Sequence, residues 1–403
     1  MLSLGRLFPA PFSKIKRTKM KKQKLILPLL ILILYSCQKE VSFQGNRSSQ
    51  VSGLSEVDVY VAGADSVFET AGLFNSTYGI PAYWKNGQPV YYTDGTIGYT
   101  GTAADATSIV VSGNDVYMTG YARFCGSLRC GDDGMFWKNG ISAYLNLPTY
   151  PNSLAVSNND IYVAGSSGYL TGTGGNAAYL KNEDKIDLPS GSAGSISTAI
   201  AVSGNDVYVA GIGITGDIFN GTQNYIAKYW KNGNAINLTD GSKSAQAWSI
   251  AVSANDAYVA GTEWNGDSYQ DANGDQLQKG IAKYWKNSQA INLTDGSNSA
   301  NAISIAVSGT DVYVAGIEWD GQSYQDANGY SLRKSVAKYW KNGKVVNLTD
   351  GTEDAEAKSI AVSGNDVYVA GTVAGHATYW KNGSAVTLSN VESDANCIFL
   401  VKK

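Results

Sequence analysis

One nine-residue phrase recurs along the whole chain and constrains its fold more than any other feature. "SGNDVYVAG" occupies residues 203–211 and again 363–371. Close variants begin at Ser112, Ser157, Ser253 and Ser308. A single active site needs its residues only once, so a phrase repeated at this spacing specifies an architecture rather than a chemistry.

Each repeat contains four short runs that favour β-strands. The tyrosines of the repeated phrase mark seven units: Tyr60, Tyr117, Tyr162, Tyr208, Tyr258, Tyr313 and Tyr368. In each unit this phrase is followed by "YWKNG" or a variant, by an apolar run such as "AINLT", and by the "SIAVS" of the next unit. Gly-Asn, Asn-Gly or Asp-Gly pairs separate the runs, as in tight hairpins. Four strands repeated about every 50 residues are typical of a β-propeller blade.

The two ends of the chain indicate how the ring closes. Residues before Asp58 fit the first strand poorly, whereas the chain finishes with "NCIFLVKK", in which Cys397 to Leu400 superposes on "SIAV". We therefore predict an all-β, seven-bladed β-propeller over residues 56–403, with four-stranded blades and a first blade closed by the C-terminal strand. An open solenoid would need a capping repeat at each end, and neither end offers one.

The first 37 residues differ in composition from the rest. A basic run, Lys21, Lys22 and Lys24, precedes the apolar block "LILPLLILIL", which is the order of a secretory signal. "MKKQKLILPLL" is complete as a signal start, so we expect translation to begin at Met20. The stretch "LYSC", ending at Cys37, resembles the lipobox of bacterial lipoproteins and implies that Cys37 carries the lipid. Polar residues 38–55 are expected to form a flexible tether.

Together, the lipobox and the propeller repeats resemble surface lipoproteins of Bacteroidota-type bacteria. The "CQKE" that begins at Cys37 is similar to their short charged export signals. This resemblance implies a protein at the outer membrane or cell surface that contacts the bilayer only through its lipid. The repeats carry no Trp-Asp blade ending, kelch double glycine or Asp-box, so no activity is inherited with the fold.

Charge, cysteine and histidine counts narrow the range of functions. A net charge of -3 provides no basic field for phosphates, so we expect no nucleic-acid partner, and we expect a monomer. Cys125 and Cys130 in "FCGSLRC" are predicted to form a local disulfide in an oxidising envelope. The only histidine is His376, so a catalytic triad or a zinc site would have to be built on one ring.

Comparing the seven units separates scaffold from candidate site, because what every unit repeats serves the blade. By this criterion the repeated tryptophans are packing residues, with Leu180 in the third unit, and the Asn-Asp pairs form turns. The tryptophans are Trp84, Trp137, Trp230, Trp285, Trp340 and Trp380. The links between blades and the loops between second and third strands vary, and they share one face of the disc. We expect function on this variable face.

The fifth and sixth units have the longest variable segments, residues 262–282 and 317–337. They supply candidate ligand-binding residues Glu263, Trp264, Asp267, Tyr269, Glu318, Trp319, Asp320 and Tyr324. Aromatic rings beside carboxylates suit a sugar, although two duplicated loops could simply pack together. Asp271, Asn273 and Asp275 have the alternating oxygen spacing of a calcium loop, but Tyr330 replaces the last of them in the sister segment. No other cofactor is expected.

A second candidate set surrounds the mouth of the central channel. Equivalent positions just before the first strands hold Thr107, Asn152, Thr198, Trp248, Ile303, Lys358 and Asn396. Trp248 and Lys358 are the candidates for ligand contact among them. The alternative is a solvated lysine and a tryptophan that packs against loops.

These observations favour a binding module for a glycan or a protein, acting by shape and stacking rather than covalent chemistry. One alternative is a glycoside hydrolase or lyase that uses Glu263 and Glu318 as its carboxylates. Their equivalent positions in similar segments provide nothing to separate their pKa values, as an acid and base pair requires. A purely structural envelope protein is the other alternative.

Overall fold

The described part of the chain consists of β-strands and contains no helix. The structure is a computed structural model that describes residues 57–71, 74–92, 104–125, 130–145, 150–167, 175–190, 193–216, 223–270, 276–325 and 331–403. The predicted signal, the tether and Cys37 lie outside these ranges.

The strands follow one another in chain order, four to a blade. The first two blades contain β1 (Val57–Ala71), β2 (Phe74–Lys85), β3 (Gln88–Tyr91), β4 (Ala104–Ser112), β5 (Asp115–Cys125), β6 (Cys130–Lys138) and β7 (Ile141–Tyr144). Blades 3 and 4 contain β8 (Tyr150–Ser157), β9 (Asp160–Ser167), β10 (Asn176–Lys181), β11 (Asp184–Asp187), β12 (Ser195–Ser203), β13 (Asp206–Thr215), β14 (Asn224–Lys231) and β15 (Asn234–Asn237).

The remaining strands complete the ring. Blades 5 and 6 contain β16 (Ala245–Ser253), β17 (Asp256–Gln270), β18 (Gln276–Lys286), β19 (Gln289–Asn292), β20 (Ala300–Ser308), β21 (Asp311–Gln325), β22 (Ser331–Lys341) and β23 (Lys344–Asn347). Blade 7 contains β24 (Ala355–Ser363), β25 (Asp366–Val373), β26 (His376–Lys381) and β27 (Ser384–Thr387), and β28 (Ser393–Lys402) ends the chain.

The seven sheets each contain four antiparallel strands, which confirms the predicted propeller. β28 pairs with β1, with Phe399 opposite Tyr60, so the last strand of the chain is the innermost strand of blade 1. Closure therefore joins the two ends of the domain within one sheet, as the sequence predicts.

Contacts at the turns explain why the "ND" and "KNG" phrases recur. In blade 4, Asn232 has a φ of 50°, and its Oδ1 accepts a hydrogen bond from the Val207 N–H at 2.8 Å. Its Nδ2 donates to Asp206 at 2.8 Å, while the Lys231 ammonium lies 2.9 Å from the same carboxylate. Equivalent asparagines occupy the other blades: Asn86, Asn139, Asn182, Asn287, Asn342 and Asn382. These polar residues are parts of the scaffold.

The repeated tryptophans fill the space between neighbouring blades. Trp84, Trp137 and Trp230 are 0 % exposed, and Trp285, Trp340 and Trp380 are 1 % exposed. Leu180, which replaces tryptophan in blade 3, is also buried. The indoles are core residues and are not available to a ligand.

A β-bulge in every innermost strand explains the glycine of "VAG". In blade 5 the register between β16 and β17 shifts between Ala247 and Ser249, which leaves Trp248 as the extra residue. A Cβ atom on Gly261 would overlap the carbonyl oxygen of Gln246, so only glycine fits opposite the bulge.

The long variable segments of blades 5 and 6 are mostly extended hairpins rather than irregular loops. Glu263 pairs with Ile281 and Tyr269 with Leu277, so β17 and β18 remain paired as far as Gln270, similar to the long pairing of β1 with β2 in blade 1. The pairing is interrupted only between Trp264 and Ser268, where the register shifts. The sequence pattern did not predict the full length of these strands, because "WNGD" interrupts the alternation of apolar and polar residues.

Candidate functional site: the axial cavity

A cavity of about 650 Å³ lies between the innermost strands, and we call it the axial cavity. All seven blades contribute one bulge residue to its wall: Asn396, Thr107, Asn152, Thr198, Trp248, Ile303 and Lys358. The bulges lie near the beginning of these strands, on the side of the disc where the interblade links arrive. The cavity therefore lies toward the face that the sequence identifies as variable.

The rim residues are inside the innermost strands, not just before them as the sequence suggested. β16 begins at Ala245, three residues before Trp248, and in the other blades the bulge residue likewise follows the start of its strand by two or three residues. The extra residue of a bulge is re-aimed relative to the regular alternation. Repeat alignment finds these positions, but it does not show that a bulge turns them toward the axis.

Four of the seven bulge residues hydrogen-bond to the backbone of the next blade. Asn396 donates to Ala106 O at 3.1 Å, Thr107 to Pro151 O at 2.7 Å, Asn152 to Ser197 O at 2.8 Å, and Thr198 to Ala247 O at 2.8 Å. These contacts join blades 1 to 5 in sequence. Their residues are therefore occupied in holding the ring together.

The bulge residues of blades 5 and 6 interrupt this pattern. The Trp248 indole N–H donates no hydrogen bond within the described ranges, and the half-buried ring lines the cavity. Ile303 has no donor for the next blade. Tyr150 and Tyr225 line the same cavity on blades 3 and 4. The wall from blade 3 to blade 6 is consequently rich in apolar and aromatic surface.

Charged groups lie on the opposite arc, where blade 7 meets blade 1. The Lys358 ammonium is 2.6 Å from Asp394, 3.4 Å from the Asn396 amide oxygen and 3.6 Å from Glu356. Burial lowers the pKa of Lys358, but these carboxylates and that of Asp105 outweigh it and raise the pKa above its usual value. Lys358 is therefore a paired cation, and the structure places it in the cavity wall with Trp248.

Asp105 joins this cluster from blade 2, although sequence comparison did not single it out. Asn396 Nδ2 donates to both of its carboxylate oxygens, at 2.9 and 3.0 Å. Burial, assisted by the nearby Asp394 charge, raises the pKa of Asp105 to about 7 despite the hydrogen bonds from Asn396. The Asp105 carboxyl group therefore changes its protonation state near neutral pH, at the junction between blades 1 and 2.

The two glutamates of the extended hairpins each bond a lysine of their own blade. Glu263 lies 3.3 Å from the Lys283 ammonium, and Glu318 lies 2.6 Å from that of Lys338. Both lysines are buried, and neither glutamate lines the axial cavity. The geometry gives these carboxylates a charge-neutralising role within each blade.

The other residues predicted on these hairpins lie away from the axial cavity or outside the described side chains. Trp264 and Trp319 are half-buried, and Asp267 is exposed and bonded to Asn265 at 2.8 Å through its own N–H. The side chains of Tyr269, Asp320 and Tyr324 and the whole of residues 271–275 fall outside the described part. That segment contains Asp271, Asn273 and Asp275, so the calcium prediction stays a prediction.

The predicted disulfide and possible metal sites can be placed only in part. β5 ends at Cys125 and β6 begins at Cys130, and the two are direct cross-strand partners, although their side chains are not described. Among the residues that the structure describes, no three histidine, cysteine or acidic side chains form a cluster suited to a metal ion. Within the same ranges, no helix has the length and apolar character to span a membrane.

Comparisons with known proteins provide similarity of fold only. No protein-family model matches the chain, and no curated protein matches it. Solved structures that resemble it include YjhT, with 12% identity, a TM-score of 0.33, and 73% of this chain and 96% of that chain covered.

Two further structures resemble the chain over most of its length. Polysaccharide lyase Uly1 has 12% identity, a TM-score of 0.39 and coverage of 73% of this chain and 80% of its own. Drosophila Semaphorin 1b, extracellular domains 1-2, has 8% identity, a TM-score of 0.39 and coverage of 82% and 86%. At these levels of similarity none of the three bears on function.

Proposed function

We propose that this protein is a lipid-anchored binding module of the cell envelope that holds a glycan in its axial cavity. The observation that carries the proposal is the two-sided wall of that cavity. Trp248, Tyr150 and Tyr225 provide aromatic surface on one arc, while the Lys358 ammonium provides a polar group on the other. The apolar face of a sugar ring can stack on the aromatic arc, and its hydroxyls can hydrogen-bond to the polar arc.

The size of the cavity favours a glycan over a folded protein partner. Pockets that bind small ligands span roughly 300 to 1,000 Å³, whereas protein interfaces are extended surfaces of about 800 Å² on each partner. A cavity of about 650 Å³ is in the first range. A protein ligand on the blade 5 and 6 hairpins is the competing outcome of the test below.

Binding is favoured over catalysis by the contacts of the candidate carboxylates. Glu263 and Glu318 are each neutralised by a lysine, at 3.3 and 2.6 Å, and they occupy matching positions in their blades. A hydrolase needs one protonated and one ionised carboxyl group on opposite sides of the scissile bond. Equivalent ion pairs do not provide that difference.

Residues 1–55 complete the proposal. A lipid on Cys37 and a tether over residues 38–55 would hold the propeller at the outer membrane or cell surface, and the local disulfide between Cys125 and Cys130 would suit that oxidising location. The tether would leave the propeller free to turn toward its ligand.

Trp248→Ala is the test of the binding site. A glycan array probed with residues 42–403 should show saturable binding, and the substitution should weaken it by about fivefold or more, since aromatic contacts contribute ~1 kcal/mol or above. The melting temperature should change little, because the indole faces the cavity rather than the core. Retained affinity in Trp248→Ala, with loss in Trp264→Ala and Trp319→Ala, would move the site to the hairpins.

A further inference from the structure

The residue that follows each bulge forms a second ring around the axial cavity. Its members are Ser108, Ser153, Ala199, Ser249, Ser304, Ser359 and Cys397, and all of them line the cavity. Blade 4 is the one blade in which this position is neither a serine nor a cysteine. This difference lies within an otherwise regular repeat.

The serines of this ring hydrogen-bond from blade to blade. Each Oγ accepts a bond from a backbone N–H of the following blade: Ser108 from Leu154 at 3.1 Å, Ser153 from Ile200 at 3.3 Å, Ser249 from Ile305 at 3.3 Å, Ser304 from Ile360 at 3.2 Å and Ser359 from Ile398 at 3.1 Å. These N–H groups belong to the innermost strands, so they depend on the preceding blade for an acceptor.

Ala199 leaves the corresponding N–H of blade 5, that of Ile250, without such an acceptor. A two-residue turn joins Ser253 to Asp256, so these two residues form a hydrogen-bonded pair. Hydrogen-bonded and non-hydrogen-bonded pairs alternate along the ladder from there, which puts Ile250 in a non-hydrogen-bonded pair. The N–H of Ile250 therefore points away from β17. Ile250 is 1 % exposed, and no described side chain accepts a bond from it. A buried, unpaired backbone donor is rare in folded proteins.

The axial cavity reaches this unpaired donor. Among the seven residues at the position of Ile250, only Ile200 and Ile250 line the cavity, and the N–H of Ile200 is occupied by Ser153. Trp248 lies two residues earlier on the same strand. The missing hydroxyl of Ala199 therefore leaves a small gap, with a free donor, beside the aromatic surface of the candidate site.

We propose that this gap is the subsite that orients the ligand, and that one hydroxyl of a neutral saccharide takes the place of the absent serine Oγ. That hydroxyl accepts the hydrogen bond of Ile250 N–H while the sugar ring stacks on Trp248. The inference rests on the proposed function and adds to it the position and class of the ligand.

The charge around the cavity selects a neutral sugar over an acidic one. Lys358 is the cation in this part of the wall, and Asp394 already pairs with it at 2.6 Å. Glu356 lies 3.6 Å from the same ammonium, and Asp105 ionises as pH rises past about 7. The cluster therefore has at least as much negative as positive charge, which disfavours a uronate.

The test compares wild type with Ala199→Ser, using calorimetric titration with cellotetraose, mannotetraose and xylotetraose as neutral probes and tetragalacturonate as the acidic one. Wild type is expected to bind a neutral probe more tightly than the acidic probe. Ala199→Ser should bind that probe at least tenfold more weakly, because the new Oγ fills the gap and accepts from Ile250 N–H. Its melting temperature should be unchanged or higher.

Two other variants make the comparison specific. Ala254→Ser adds the same hydroxyl to an exposed turn on the opposite face and should leave affinity unchanged. Ala199→Cys places in blade 4 the residue that blade 1 has at Cys397, and it should also weaken binding by filling the gap. It gives a second measurement if Ala199→Ser does not fold.

The outcomes separate this inference from the proposed function. Wild-type affinity in both Ala199→Ser and Ala199→Cys would overturn the subsite while leaving a glycan-binding cavity in place. Tighter binding of tetragalacturonate than of every neutral probe would overturn the choice of a neutral sugar. Binding of none of the four would overturn the inference together with the proposed function.

Discussion

Three blades bury a lysine at the same position of the third strand, and only two of these lysines have a carboxylate. Lys228, Lys283 and Lys338 are 6 %, 5 % and 7 % exposed. Glu263 and Glu318 neutralise the last two, whereas blade 4 has Gly213 at the matching position, directly beside Lys228. Burial lowers the pKa of Lys228, so its charge is maintained at a cost in stability.

Replacing these lysines by methionine should therefore have different effects in different blades. Lys228→Met is expected to leave the free energy of unfolding unchanged or raise it, because it removes a buried charge that has no carboxylate partner and only a cation–π contact with Trp230. Lys338→Met should lower it by about 1–3 kcal/mol, since Glu318 loses its partner. Denaturant unfolding of both variants tests this, and equal destabilisation would show that Lys228 has a partner of its own.

At the scale of elements, the sequence predicted the strands but not their irregularities. Turn dipeptides and alternating apolar residues specify four strands in each unit. Because the pattern recurs in seven units, each strand is predicted independently seven times. The bulges were missed because a single extra residue leaves the local alternation almost unchanged. For the same reason Trp248 was found as a variable position, whereas the unpaired N–H of Ile250 requires the strand register to be known.

The junction between β28 and β4 should make the stability of the protein depend on pH. Because the folded-state pKa of Asp105 is raised to about 7, the folded protein holds a proton that the unfolded chain releases near pH 4. Stability from this group is complete below pH 4 and is lost as pH rises to 7, by at most about 4 kcal/mol.

Asp105→Asn keeps this position neutral at every pH, so it provides the comparison. Relative to this variant, wild type should lose stability between pH 4 and pH 7 and change no further above that. Asp206→Asn is the control of opposite sign, because Asn232 and Lys231 lower the pKa of Asp206 and its stabilisation is lost as pH falls. If the free energies of unfolding of wild type and Asp105→Asn change equally between pH 4 and pH 7, the raised pKa of Asp105 is wrong.

At the scale of the whole molecule, the two faces of the disc have different tasks. One face repeats the same Asp, Asn and Lys contacts in every blade, as in the turn of Asn232, and this regularity made the ring predictable from sequence alone. The other face leads to the axial cavity, where no two adjacent bulge residues are alike. The ligand was not predictable from the repeat, because it depends on positions where the repeat is broken.

The N-terminal proposal can be tested on the intact protein in a bacterial host. Cys37→Ala should move the protein from the membrane fraction to the soluble fraction, because a lipid on Cys37 is the proposed attachment. Cys125→Ala should remain with the membrane. If Cys37→Ala stays in the membrane fraction after a high-salt wash, the lipid assignment is wrong.

A crystal structure of the propeller with the neutral tetrasaccharide that binds best would locate the ligand site directly. We predict a sugar ring in the axial cavity, stacked on Trp248, with one hydroxyl within hydrogen-bonding distance of the Ile250 nitrogen. A sugar bound only on the extended hairpins of blades 5 and 6, or on the face of the repeated turns, would contradict this prediction.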